Sequence, residues 1–183
     1  APKIEFKNVT FAYPGKKRPV LKDFNLMIFG GEKIALVGEN GSGKTTIIKL
    51  LARFYDVDRG EILINGINIK KLDLESWYKS LGILFQDFVR YEYPVKENIY
   101  FGKIHEKLHM RKIIEAATSA GAHTVVKKFE HGYEQMLGRR FDEGIELSVG
   151  QWQKIALARG FLGDAPILVL DEPTASIDAK AEA

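Results

Sequence analysis

Gly38-Glu39-Asn40-Gly41-Ser42-Gly43-Lys44-Thr45-Thr46 is the stretch that decides the fold. It fits G-x-x-x-x-G-K-[ST], and its flanks matter as much as the match. Ile34-Ala35-Leu36-Val37 before it reads as a buried strand, and Ile47, Ile48, Leu50, Leu51 and Phe54 after it fall at helical spacing. Strand, glycine loop and helix together are the context of a phosphate site. The glycines let backbone N–H groups turn inward around an anion, and the helix N-terminus adds its positive dipole end. In such a site Lys44 reaches the β- and γ-phosphates and the Thr45 hydroxyl takes Mg²⁺. The expected ligand is a nucleoside triphosphate.

A second signal lies far along the chain. Ile167-Leu168-Val169-Leu170 reads as a buried strand that ends in Asp171-Glu172-Pro173. A carboxylate in the place of Asp171, beside a phosphate loop, is suited to hold Mg²⁺ through water. Glu172 would then face the γ-phosphate, where it can orient the attacking water or accept its proton. Between the two signals lies Leu147-Ser148-Val149-Gly150-Gln151, opening an amphipathic helix with Gln151, Ile155, Ala158 and Leu162 on one face. This helix start is a second place that can receive an anion. Ser148 either caps its own helix or holds the γ-phosphate bound to a neighbouring subunit, and spacing does not choose between the two.

Composition narrows the class. The chain has 183 residues, 45% hydrophobic and 28% charged, enough for one good core. Cysteine is absent, which excludes disulfides, thiolate metal sites and a thiol nucleophile, and fits a reducing compartment. No apolar stretch approaches the roughly 18 residues of a membrane span, and no signal peptide opens the sequence. A net charge of +3 is too small to argue for a nucleic-acid partner, and Lys16-Lys17-Arg18 reads as a solvated turn.

Around the motifs, Ile4-Phe6, Val9-Phe11-Tyr13 and 21–29 alternate as half-buried strands do. Pro14-Gly15 marks a turn, and Ile62-Leu63-Ile64 followed by Asn65-Gly66 signals a hairpin. A further strand is expected at 81–85. From 95 to 129 the pattern turns helical, with Met110, Ile113, Ile114 and Ala117 at i, i+3, i+4, i+7 and Gly121 between two helices.

These motifs in this order resemble the nucleotide-binding domain of ATP-binding-cassette transporters, and the resemblance runs from end to end. It implies an α/β fold: a P-loop, RecA-like core with an antiparallel β subdomain, and a helical subdomain inserted before the Walker B strand. The implied divisions are 1–86 for the ATP-binding core and β subdomain, 87–157 for the helical subdomain, and 158–183 for the return to the core. Gly38, Asn40, Gly41, Ser42, Gly43, Lys44, Thr45 and Thr46 resemble the Walker A loop, and 167–171 the Walker B strand. Leu147, Ser148, Val149, Gly150 and Gln151 are similar to the family signature Leu-Ser-Gly-Gly-Gln, with Val149 in place of the first glycine. In the family this segment caps the ATP held by a second cassette in a head-to-tail dimer. Tyr13 matches the aromatic that stacks on adenine, and Val20 the apolar side chain beside it. Gln86 matches the glutamine that touches Mg²⁺ and links to the membrane domain, and Asp178 the aspartate that crosses the dimer interface.

Gln86-Asp87-Phe88 with Val95-Lys96-Glu97-Asn98-Ile99 resembles the exporter branch, and Leu147-Ser148-Val149-Gly150-Gln151-Trp152 resembles bacterial exporter half-transporters. The resemblance therefore implies Mg-ATP hydrolysis that powers export, at the cytoplasmic face of a membrane, through a transmembrane domain outside this chain. Three departures are visible. The chain ends at Ala183, before the family's switch histidine is reached. Val149 adds a side chain where backbone approaches phosphate. Arg139-Arg140-Phe141-Asp142-Glu143-Gly144 only loosely matches the exporter loop ahead of the signature. The rival expectations are an ATP-driven dimerisation module with little turnover, and a soluble relative acting as a DNA clamp or translation factor. The latter calls for a long coiled coil or tandem cassettes, and neither is visible in the sequence.

Overall fold

The architecture is that of a computed structural model, which describes residues 1–39, 41–140 and 143–171. Asn40, Glu172 and Asp178 lie outside the described residues. The chain divides into two compact units, Ala1–Leu81 and the residues from Gly82 onward.

The first unit is built on an antiparallel sheet of β1 (Ile4–Phe11), β2 (Leu21–Ile28), β3 (Arg59–Ile64) and β4 (Ile67–Asn68), in the order β2-β1-β3-β4. The two short alternating runs at its start form one strand. Register shifts fall between Phe6 and Phe11, where Asn8 takes a left-handed φ of 48°. The bulge is possible because Gly60 faces it: a Cβ there would lie 2.3 Å from the Lys7 carbonyl oxygen. Asn65 and Gly66 both have positive φ, 49° and 81°, as a two-residue hairpin turn requires. Helix α1 (Lys44–Leu51) buries Ile47, Ile48, Leu50 and Leu51. It stops one turn before Phe54, which is exposed. A short α2 (Leu74–Lys79) is capped by Asp73 and anchored by Trp77, whose Nε1 donates to the Leu51 carbonyl at 2.9 Å.

Residues 34–37, expected as a buried strand, form none. They belong to neither sheet, and Val37 is 93% exposed. An apolar run becomes a strand only where neighbouring backbone satisfies its N–H and C=O groups, and no such ladder takes it up among the described residues.

In the second unit β5 (Leu81–Leu84) pairs with β6 (Ile167–Leu170) in a two-stranded sheet. β6 is where the sequence places it but is not fully buried: Leu168 and Leu170 are exposed on one face. Helices α3 (Val95–Tyr100), α4 (Met110–Ser119), α5 (His123–Val126) and α6 (Val149–Leu162) surround one core. Val95, Ile99, Ile113, Ala117, Trp152 and Ile155 are its centre. On α4 the buried stripe is Ile113, Ala116, Ala117 and Ala120, so Met110 and Ile114 sit at its margin rather than within it. The small alanines let α4 approach its neighbours, and the bulkier residues take the rim.

Candidate functional site

The glycine loop leads into α1, whose first residue is Lys44. Gly43 caps the helix with φ 97°, a conformation that a side chain adopts only with strain. A Cβ at this position would lie 3.0 Å from Leu21 Cδ2 and 3.3 Å from Val20 Cγ1. Val20 thus borders the Gly43 end of the loop. The Lys44 ammonium folds back over the loop, donating to the carbonyls of Gly38 at 2.8 Å and Glu39 at 3.0 Å. Ser42 N–H donates to the Glu39 carbonyl at 3.1 Å and tightens the same turn. A cation held over a glycine-rich turn at a helix N-terminus concentrates positive potential in one place. Thr45 is half-buried in the first turn of α1, and Thr46 is buried.

Tyr13 lies in the β1–β2 connection, which closes where Val20 N–H donates to the Phe11 carbonyl at 2.8 Å. Its ring meets Phe11 and Tyr55 edge-on, at centroid distances of 5.1 and 5.3 Å. Its hydroxyl lies 3.0 Å from the Thr46 hydroxyl, and Lys49 Nζ sits 5.8 Å from the ring centroid. The first unit therefore brings together the aromatic expected to meet a base, its apolar neighbour Val20 and the phosphate loop. Sequence reading missed Tyr55, Lys49 and the Tyr13–Thr46 bond. The repeated aromatics Phe11, Tyr13 and Tyr55 were the available signal, but Tyr55 lies far along the chain from the other two.

In the second unit Asp171 follows β6 directly and is only 7% exposed, with its N–H donating to the Leu84 carbonyl at 2.9 Å. Gln86 stands two residues beyond the end of β5, in an exposed turn. The pairing of β5 with β6 thus sets both residues at the end of one sheet.

Leu147-Ser148-Val149-Gly150-Gln151 opens α6 with a complete capping box. Gln151 N–H donates to Ser148 Oγ at 3.3 Å, and Ser148 N–H donates to Gln151 Oε1 at 2.9 Å. Leu147 is buried in the core, while Val149 is 47% exposed at the first helical position. The Val149 side chain is thus exposed at the helix tip. Gln151 has its own role in the cap, which sequence alone did not reveal.

Two further residues stand out that sequence reading left unassigned. Asn98 is wholly buried, and Arg159 is half-buried on α6 and bonded to Asn98. Burial pushes the Arg159 guanidinium below its ordinary pKa, with the Tyr91 phenol acting weakly the other way. The signal was there: polar residues at helix positions whose period calls for apolar ones, Asn98 beside Val95 and Ile99, Arg159 between Ile155 and Leu162.

Loop, helix and strand-end carboxylate define the class, a P-loop nucleoside-triphosphate-binding domain. Comparison with known proteins places it further. Residues 21–175 match the family model described as ABC transporter. The chain is 47% identical to the subtilin transport ATP-binding protein SpaT of Bacillus subtilis, over 98% of its own length and 29% of the relative's. It is 41% identical to the ATP-dependent lipid A-core flippase of Escherichia coli K12, over 98% of this chain and 30% of that protein. Among solved structures it resembles a bacterial Atm1-family ABC exporter with ATP bound. The TM-score is 0.89 at 33% identity, covering 99% of this chain and 31% of that one. The chain belongs to the ABC transporter family and is an ATP-binding domain of it. It spans less than a third of the length of these curated relatives.

Proposed function

We propose that the chain binds and hydrolyses Mg-ATP in a head-to-tail dimer of cassettes and thereby powers export across a membrane. The observation that carries this reading is the Lys44 ammonium, held by the Gly38 and Glu39 carbonyls over a glycine-capped helix start. That arrangement is preorganised for the charge of a triphosphate. ATP would exchange two neutral carbonyl partners of Lys44 for anionic phosphate oxygens, which make stronger hydrogen bonds.

In this reading the amides of Gly38, Asn40, Gly41, Ser42, Gly43, Lys44, Thr45 and Thr46 wrap the phosphates, while Tyr13 and Val20 receive adenine. Thr45, Gln86 and Asp171 supply neutral and anionic oxygens, the donor set that suits Mg²⁺. Among the described residues no group of three or more His, Cys, Asp or Glu side chains could hold a metal ion. That fits an ion carried in with phosphate rather than caged by protein. When bound, Mg²⁺ supplies neutralisation of phosphate charge. Glu172 orients or deprotonates the attacking water. The partner's ATP is covered by Leu147, Ser148, Val149, Gly150 and Gln151, with Asp178 crossing the interface. The partner is a second cassette, identical or different. The relatives' names, transport protein, flippase and exporter, support a transmembrane domain as the other partner and a place at the cytoplasmic face of a membrane. No helix among the described residues is long and apolar enough to cross a membrane.

The test is binding of a fluorescent ATP analogue with Mg²⁺ to the wild type and to Lys44→Ala. The substitution removes two exposed hydrogen bonds and no core contact, so the fold persists. Loss of a charged phosphate partner worth about 1.5–3 kcal/mol predicts affinity lower by roughly 10- to 150-fold. Equal affinity in the two proteins would overturn the reading.

A further inference from the structure

Segment 88–94, which follows the Gln86 turn, lies outside the named helices and strands. Backbone N–H groups reach some of its carbonyls, Leu137 that of Tyr93 at 3.2 Å and Asn98 that of Pro94 at 3.0 Å. Two side chains tie it down further. Asn98 Nδ2 lies within reach of the carbonyl oxygens of Tyr91 at 2.9 Å, Tyr93 at 2.9 Å and Pro94 at 3.3 Å. Arg159 Nη1 donates to the Val89 carbonyl at 3.3 Å. The same guanidinium donates from Nε to the Asn98 carbonyl at 2.8 Å and from Nη2 to Asn98 Oδ1 at 3.2 Å. Its centre lies 4.6 Å from the centroid of the Tyr91 ring. The partners found for it among the described residues are therefore neutral: carbonyls, an amide and an aromatic face.

A half-buried cation with no carboxylate partner among the described residues is a costly way to hold a helix in place, and an apolar residue would serve packing alone as well. What the guanidinium offers instead is a planar fork that grips several groups at fixed angles while stacking on a ring. The groups it grips belong to three different pieces. Val89 and Tyr91 follow Gln86, Asn98 belongs to α3, and Arg159 itself is part of the helix that Ser148 opens. A helix is stiff along its length, and Arg159 lies about 15 Å from Val149 at 1.5 Å per residue.

From this the geometry points to Arg159 as a positioning residue for ATP turnover, fixing the segment behind Gln86 to the signature helix so that the two move as one piece. This rests on the function proposed above, in which Gln86 meets the chain's own nucleotide site and Ser148 the partner's. Binding of ATP to the Lys44 loop does not involve Arg159. The chemical step, which needs Gln86 set at the chain's own site and Ser148 at the partner's, does.

The test is Arg159→Lys in the full chain, with the exposed Arg111→Lys as control. Lysine keeps the charge and loses the fork. Measured are ATP affinity, kcat, KM and amide exchange of residues 88–94. The expected result is ATP affinity and KM within twofold of wild type, kcat at least tenfold lower, and exchange at 88–94 at least tenfold faster. An unchanged kcat overturns the proposal, as does a loss of rate that merely parallels lost ATP affinity. If Arg159→Lys fails to fold, Tyr91→Leu removes the stacked ring while leaving every hydrogen bond of the guanidinium. It should lower kcat at least threefold with ATP affinity unchanged, and an unchanged kcat again overturns the proposal. A wild-type chain that binds ATP without hydrolysing it removes the turnover reading itself and the proposal with it. That outcome is distinguished because it appears in the wild type.

Discussion

Ser148 offers the sharpest separation between a structural and a functional role. Its hydroxyl accepts from Gln151 N–H at 3.3 Å, a long and exposed bond, while the reciprocal bond from Ser148 N–H to Gln151 Oε1 is 2.9 Å. Removing a serine cap costs about 0.5–2 kcal/mol, and so long a bond belongs at the low end, about 0.5–1 kcal/mol. The rest of α6 is secured by Trp152, Ile155, Ala158 and Leu162, all buried. Ser148→Ala should therefore lower Tm by only about 1–4 °C, at roughly 2–4 °C per kcal/mol for a chain of this size. If the hydroxyl also donates to the γ-phosphate of the partner's ATP in the transition state, its loss costs about 10²–10³ in kcat. Ser148→Asp separates the two effects. Aspartate caps as well as serine, so Tm recovers, but its carboxylate faces phosphate and the rate does not return. Thermal melts and steady-state ATPase rates at saturating ATP, measured well below Tm, read both quantities. A Ser148→Asp protein that recovers its rate together with its Tm would refute the reasoning and leave Ser148 as a helix cap only.

Gly43→Ala places a Cβ at positive φ and 3.0 Å from Leu21 Cδ2, so it should cost about 1–3 kcal/mol in urea unfolding and weaken ATP binding together. Trp152→Ala empties the centre of the second unit's core and should cost about 3–5 kcal/mol, read as a shifted urea midpoint. Burial holds the Tyr133 phenol above its usual pKa, and its oxygen lies 2.8 Å from His123 Nδ1. The folded state keeps this proton longer than the unfolded one, so the stability it contributes is intact below about pH 10 and lost as pH rises through the folded pKa. Tyr133→Phe should flatten that alkaline loss in a series of melts from pH 8 to 11.

What could be read from sequence and what could not divide along a physical line. Local chemistry was legible. Asn65-Gly66 made the hairpin because both residues tolerate positive φ, and Ser148 was readable as a possible cap of its own helix, though not the return bond from Gln151. Hydrophobic spacing located α1 and α4, although on α4 the buried stripe is carried by Ala116 and Ala120, which look neutral in a sequence. Non-local facts were not legible. The apolar run 34–37 carried every sign of a strand except a neighbour to pair with, which periodicity does not report. The bulge at Asn8 depends on Gly60, some fifty residues away, and Tyr13 meets Tyr55 only in the fold. Asn98 and Arg159 meet across 61 positions of sequence. Their place in the helical period hinted at burial, but not that they meet each other.

The central claim is a catalytic site completed by two chains. The measurement that tests it most directly is the Mg²⁺-ATPase rate per chain as a function of protein concentration, with Glu172→Gln alongside. The account predicts a specific rate that rises with concentration toward a plateau and is lost in the variant, because Ser148 of one copy must reach the ATP held by Lys44 of another. A specific rate that is measurable but independent of concentration in a chain shown to be monomeric would contradict it.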